Sequence, residues 1–327
     1  KAIAAMQIPK GQDGSLNGDG PNVFGTDDVK MLFPQWRGTS VIGPDGKPQL
    51  SPETKEFRSK FNTSLHQTAN ALAKRAFVRY LENVVAKLPE GQRNVLVTAG
   101  GVAAGKGYAI DNLPQVKSVK DAASATWDTA GEQNSTEMTW VADLCKKHGI
   151  HMTATYIHAE PTGTWENPER GVMQRASNVG RMVDARAFAD SYTHGAKNYA
   201  AFHEATKNMP HVDSIILDNS RPPLPDLDEN GVQKLDKKGK PATKPDIVRL
   251  DAVPESALKT DPEELYNRCM TALGQLNIPP AVKQGGGAGA RIWPPPQPRD
   301  QPLHAVNKFS RVAAAQARAI RYFGVTN

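Results

Sequence analysis

The sequence predicts an α/β protein built on a parallel sheet flanked by helices, and three observations carry that prediction. Apolar runs of strand length alternate with helical periodicity between Asn94 and Leu217. A helical stretch of about 14 residues, from Ser135 to His148, separates two of those runs and is long enough for a right-handed crossover. The first run, NVLVTA from Asn94 to Ala99, leads directly into a glycine-rich turn.

Residues 1–50 are rich in Gly, Asp, Asn and Pro with little apolar periodicity, and read as an irregular N-terminal extension. Ser51-Pro52-Glu53 has the order of an N-cap, a first-turn proline and a first-turn acid. Phe57, Phe61, Leu65, Ala69, Leu72, Ala76 and Leu81 then recur at helical steps, predicting a long helix that runs to Leu88 and stops at Pro89. Parallel strands are expected at Asn94 to Ala99, Ala123 to Trp127, Ile150 to Ile157 and Val212 to Leu217. A second helical region covers Asn167 to Met209, with breaks expected at Gly180 and Gly195.

The core is therefore assigned to residues 51–225, and residues 226–327 form a C-terminal extension of three parts. Leu227 to Pro245 carries turn signals and reads as an exposed hairpin or loop. Pro279 to Pro302 is a Gly/Pro cluster expected to be irregular. Val306 to Phe323 repeats apolar residues as a docking helix would.

The turn Gly100-Gly101-Val102-Ala103-Ala104-Gly105-Lys106 places four residues between two glycines and follows the second with lysine. After a buried strand, that pattern lets backbone N–H groups turn inward on a polyphosphate while the lysine ammonium reaches its outer phosphates. Gly100 through Gly107 are thus the candidate nucleotide contacts. The Ser or Thr that usually follows such a lysine to hold magnesium is replaced by Gly107.

Phosphoryl transfer also needs a group to take the acceptor proton and cations to neutralise the moving charge. Asp128 falls at the carboxyl end of the second strand, where open α/β sheets collect ligands, and is the candidate base. Arg170, Arg175, Arg181 and Arg186 recur at five or six residues, a spacing that cannot put all four on one helix face. Some are expected to pair with Glu166, Glu169 or Asp184. Arg170, Arg175 and Arg181 are the candidates for forking onto phosphate oxygens. Asp218, at the end of the fourth strand, is a candidate second carboxylate near magnesium, alongside Asp128.

Other classes find less support. No apolar run approaches the roughly 20 residues that span a bilayer. Cys145 and Cys269 sit in helical patterns and read as buried small residues, with neither a disulfide framework nor zinc spacing. The net charge of +6 is dispersed instead of striped, which an anionic nucleotide explains as well as nucleic acid does.

Taken together, GGVAAGKG, the strand ending in Asp128, the Arg-bearing segment with GRMV (Gly180 to Val183) and the later ILDNS (Ile216 to Ser220) resemble the zeta-toxin family of P-loop kinases. The resemblance covers about residues 60–225. It implies a P-loop kinase-like parallel sheet with N- and C-terminal elaborations, with ATP and Mg2+ as cofactors. It also implies transfer of the γ-phosphate to a hydroxyl of a sugar-bearing nucleotide, often UDP-N-acetylglucosamine. In those terms Lys106 contacts the β- and γ-phosphates, Asp128 is the base, and arginines between 170 and 181 meet transition-state charge. A secreted-effector branch from plant pathogens resembles the chain in size and in its extra terminal regions. That branch phosphorylates the adenosine ribose of NAD, passes from the bacterial cytoplasm into a host cell, and is blocked by a small antitoxin-like chaperone. Gly107 departs from the family pattern. This leaves open a catalytically weakened nucleotide-binding effector acting through a protein partner, and the positive charge leaves open an RNA phosphoryl acceptor.

Overall fold

The computed structural model of the chain describes residues 22–44, 46, 48–131, 135–166, 171–180, 183–236 and 239–275. A short strand β1 (Val23–Gly25) comes first, followed by α1 (Thr26–Lys30), α2 (Pro34–Arg37) and an antiparallel pair, β2 (Ser40–Ile42) and β3 (Pro48–Leu50). The long helix α3 (Pro52–Asn83) ends in two 3₁₀ turns, Val85–Lys87 and Glu90–Gln92. Then come β4 (Asn94–Gly100), α4 (Lys106–Asn112), α5 (Pro114–Ala122), β5 (Ala125–Asp128), α6 (Ser135–Lys147) and β6 (His151–His158). α7 (Pro161–Glu166), α8 (Val172–Val179) and α9 (Ala185–Thr206) lead to β7 (Val212–Asp218). The two-residue strands β8 (Leu224–Pro225) and β9 (Thr243–Lys244), then β10 (Val248–Leu250), α10 (Glu255–Lys259) and α11 (Pro262–Gln275), complete the described chain.

Six strands form the central sheet in the order β1-β5-β4-β6-β7-β10, parallel throughout except for β10. The α/β architecture with flanking helices thus agrees with the sequence. The two assigned core boundaries do not hold. β1 comes from the stretch read as irregular, and β10 lies beyond residue 225, so the sheet takes an edge strand from each assigned extension.

Burial explains the central strands. Every residue of β4 after Asn94 is buried, as expected of a parallel strand with both faces covered. One apolar cluster joins Phe77 and Leu81 of α3 to Val95, Val97, Trp127 and Tyr156 of the sheet and Tyr199 and Phe202 of α9. A second joins Ile110, Val116, Trp165 and Phe188 to Ile157 and Leu217. Each fully buried Leu or Phe contributes roughly 1.5–3 kcal/mol relative to exposure.

α3 begins as its sequence predicts. The Ser51 side chain accepts the Thr54 N–H at 3.2 Å, and Pro52 fills the first turn. Leu72, counted with its apolar face, is 47% exposed. The helical region read over Asn167 to Met209 breaks at Gly180, which is left-handed (φ 70°) and caps α8. It does not break at Gly195, which lies inside α9. A Cβ there would come within 2.9 Å of the Ala130 carbonyl, so this glycine permits a close approach and the helix continues through it.

Cys145 and Cys269 are free and buried, and burial pushes each thiol up to about 12. The 227–245 stretch forms β-bridges Leu227 to Gln233 and Leu235 to Pro241, with Val232 and Leu235 exposed. No helix among the described residues is long and apolar enough to cross a membrane. The Gly/Pro cluster and the docking helix expected after residue 278 lie outside the described residues, as do residues 1–21.

Candidate functional site

β4 is the geometric origin of the site. Its last residue, Gly100, has φ 140° and packs so closely that a Cβ would lie 2.5 Å from the Ile157 carbonyl oxygen on β6. At Gly101 a Cβ would strike the Tyr192 ring at 2.4 Å. Ala103 adopts φ 61°, the only non-glycine residue with positive φ among the described residues, and Gly105 follows at φ 77°. An alanine held there costs on the order of 1–2 kcal/mol, which the surrounding contacts must offset. Left-handed residues at Ala103 and Gly105 curl the loop into the kind of concavity in which anions bind, with the Val102 and Ala104 N–H groups committed to Ser191 Oγ and to the Gly101 carbonyl.

Side chains from two other elements supply those contacts. On α9, Ser191 Oγ accepts the Val102 N–H at 3.1 Å and the Tyr192 hydroxyl donates to the Val102 carbonyl at 3.2 Å. Beyond β7, the Asn219 amide donates to the Ala104 carbonyl at 3.0 Å. Burial pushes the Tyr192 phenol far above its ordinary range, so it stays a donor at any physiological pH.

Lys106 and Asp128 meet across this loop. Thr98 Oγ1 donates to Asp128 Oδ1 at 2.8 Å, and Lys106 Nζ stands 3.7 Å from the same oxygen. The ammonium also donates to the Gly100 carbonyl at 3.4 Å. The pairing follows from register, since Thr98 and Asp128 are ladder partners on adjacent parallel strands. The Asp128 side chain is 48% exposed and the Lys106 side chain 19%, so the carboxylate stays accessible to a ligand while the ammonium is largely enclosed.

Both residues line a cavity of about 600 Å³, within the range of small-molecule sites. Val102 through Tyr108, Asp128 and Thr129 form its floor, and Arg175, Asp184, Ala187 and Asp190 of the α8–α9 region form one side. Asp184 also caps α9, accepting the Arg186 and Ala187 N–H groups at 2.9 and 3.1 Å. The opposite side is Thr26, Asp27 and Lys30 from the α1 region, with Asn62, His66, Gln67 and Asn70 from α3.

Of the residues singled out in the sequence, Val102 through Gly107, Asp128 and Arg175 line this cavity. Gly100 and Gly101 shape its floor without lining it. Arg170 and Arg181 lie outside the described residues. Arg186 Nη2 donates to both carboxylate oxygens of Glu263 on α11, at 2.7 and 2.9 Å, and the guanidinium lies over the Tyr266 ring, a partner its local acidic neighbours did not suggest.

Asp218 is not among the lining residues. Its Oδ1 accepts the Ser220 N–H at 2.9 Å, and its backbone is registered with Val248 of β10. The pairing of Asp128 with Asp218 as two metal carboxylates is therefore not assembled, because β4 and β6 separate β5 from β7. Among the described residues no group of three His, Cys, Asp or Glu side chains is arranged to hold a metal ion. Magnesium suits this donor set in one way only: it commonly binds through one or two carboxylates plus substrate phosphates and water, and Asp128 offers one such carboxylate. A Cβ added at Gly107 would meet no atom within 4 Å, so the place of the customary hydroxyl is open space.

The α1 and α3 wall was invisible to motif reasoning. The available signal was the recurrence of Asn62, His66 and Asn70 every four residues in a helix rich in other polar side chains. His158 lines a different depression of about 240 Å³ with Glu160, Asp261 and Arg268. No protein-family model matches the chain, and no curated protein matches it.

Proposed function

We propose that the protein is an ATP-dependent phosphotransferase acting on a ribose or sugar hydroxyl of a nucleotide metabolite. The observation that carries this reading is the 3.7 Å approach of Lys106 Nζ to Asp128 Oδ1 beside a glycine-rich loop that opens into one cavity. Loop amides and Lys106 hold the outer phosphates of ATP, and Arg175 faces the same space. The acceptor hydroxyl sits against Asp128. Its oxygen forms a bond to the γ-phosphorus as the bond from that phosphorus to the β,γ-bridging oxygen breaks. The hydroxyl proton passes to the Asp128 carboxylate, and ADP leaves. Positioning and charge neutralisation supply the acceleration, with no covalent enzyme intermediate.

Magnesium bound with the nucleotide supplies further neutralisation of phosphate charge, and Asp128 is the residue of this chain that would hold it, directly or through water. Between acceptors, the likeness in size and in terminal regions to the plant-pathogen effector branch of the zeta-toxin kinases favours NAD over UDP-N-acetylglucosamine. A second reading, a nucleotide-binding effector without turnover, draws on Gly107. Calorimetric ATP titration combined with transfer of labelled phosphate to NAD and UDP-sugars separates the two. Labelled product supports the kinase; ATP binding with no product on either acceptor removes it.

A further inference from the structure

The order of strands at the sheet's carboxyl edge gives the cavity a direction. The loop follows β4, Asp128 tops β5, and β1 is next outward, with Gly25 registered beside Asp128. α1 starts at the following residue, and Asp28 fixes that junction by accepting the Gly25 N–H at 2.8 Å. A path from the loop past Asp128 therefore leads to Thr26 and Asp27, and beyond them to α3. In-line transfer requires the acceptor to approach the γ-phosphorus from the side away from the leaving oxygen. With the triphosphate on the loop and the base at Asp128, that side is this wall.

Its chemistry is specific. Asn62, His66 and Asn70 follow one another at four-residue steps on α3, with Gln67 beside them, so one helix face presents three carboxamides and an imidazole to the cavity. Asn62 and Asn70 are buried, at 9% and 7% exposure, and a buried amide is costly unless its hydrogen bonds are met. Lys30 Nζ donates to Asn62 Oδ1 at 2.7 Å, and Thr26 Oγ1 donates to Asn70 Oδ1 at 3.4 Å. These bonds orient both amides. Lys30 is itself 1% exposed, lies 4.8 Å from the Trp36 ring centroid and 3.8 Å from Asp27 Oδ1, and its charge is little screened by solvent.

We propose that this α1–α3 wall is the acceptor subsite and that it selects a hydroxylated sugar ring. Carboxamides and Asp27 offer the paired donors and acceptors that vicinal hydroxyls require, and Lys30 holds Asn62 and Asp27 in place from behind. The assignment rests on the phosphotransferase reading for its direction, but the subsite can be tested without turnover.

The test uses the full chain, NAD and UDP-N-acetylglucosamine as probes, and two variants: Gln67→Ala, whose side chain is exposed, and the double variant His66→Ala/Gln67→Ala. For whichever probe is phosphorylated, the double variant is expected to raise the acceptor KM about tenfold while the KM for ATP stays unchanged, as for the loss of one or two hydrogen bonds. An unchanged acceptor KM, or an equal rise for ATP, overturns the subsite and leaves the kinase reading standing. Calorimetry with a non-hydrolysable ATP analogue present supplies the second arm. Binding of a probe to the wild type that weakens in both variants upholds the subsite even where no phosphate is transferred, and then the kinase reading fails alone. Equal binding to wild type and variants, or no binding of either probe to the wild type, overturns the proposal. The single variant, with unchanged thermal melting, keeps the result interpretable if the double variant folds poorly.

Discussion

Asp128 and Asp218 reach the same sheet edge by the same route, each the last residue of a parallel strand, yet only one of them enters the cavity. Asp128 receives Thr98 and stands beside Lys106, whereas Asp218 turns onto the Ser220 N–H and is flanked by antiparallel β10. The difference is strand order. β5 neighbours the strand that carries the loop, and β7 does not. An aspartate at a strand tip is thus a local signal whose meaning is set by a non-local fact, which strand lies next to it.

Exchanging each carboxylate for its amide is the sharpest way to break that comparison. Asp128→Asn should lower labelled-phosphate turnover by about 10²–10⁴-fold with ATP binding retained, the usual range for a lost general base. Asp218→Asn should remain within about twofold, as for a surface change away from the site. Comparable losses in both would remove the distinction. Next in size, Lys106→Ala should weaken ATP binding by about 10- to 100-fold in calorimetry, as for a lost charge-assisted hydrogen bond.

Gly107→Ser refines the same side of the comparison. The hydroxyl enters open space, so folding should be unaffected and magnesium-dependent ATP binding should shift to lower magnesium concentration. An unchanged magnesium titration would show that the metal does not reach this position. A smaller effect is expected from Ser191→Ala, which removes the partner of the Val102 N–H and should cost about 1 kcal/mol, read as a melting-temperature drop of about 2 °C.

The smallest effect belongs to the Asp218 side. Burial holds the His158 imidazole below its ordinary value of 6.5, against the opposing pull of Asp218 and Glu160. The unfolded chain then binds the extra proton first as pH falls. Stability is complete above the unfolded value and is lost as pH drops from 6.5 through the lower folded value. Thermal melts between about pH 7.5 and 5.5 should show this slope, and His158→Gln should flatten it.

What the sequence conveyed and what it withheld divide along physical lines. β4 and β6 were legible because burial on both faces favours uncharged, largely apolar runs, and Ser51 and Pro52 announced α3 through capping chemistry. β1 and β10 were not legible. Each has three residues, too few for a period, and each exists because a neighbouring strand offers it a ladder. Gly195 misled because a glycine that breaks a helix and one that lets a carbonyl approach look identical in sequence. For the site, Lys106 and Asp128 could be paired from motif and strand position, while Asn62, His66 and Asn70 stood out only once α3 was laid against α1.

Val102 is tethered on both flanking peptide groups, its N–H to Ser191 and its carbonyl to Tyr192, and both anchors sit on one turn of α9. Neither peptide plane can rotate without releasing a helix that also packs into both apolar clusters. The floor of the cavity therefore arrives rigid before any ligand does, and whatever adjustment accompanies ligand entry falls to the side chains around it.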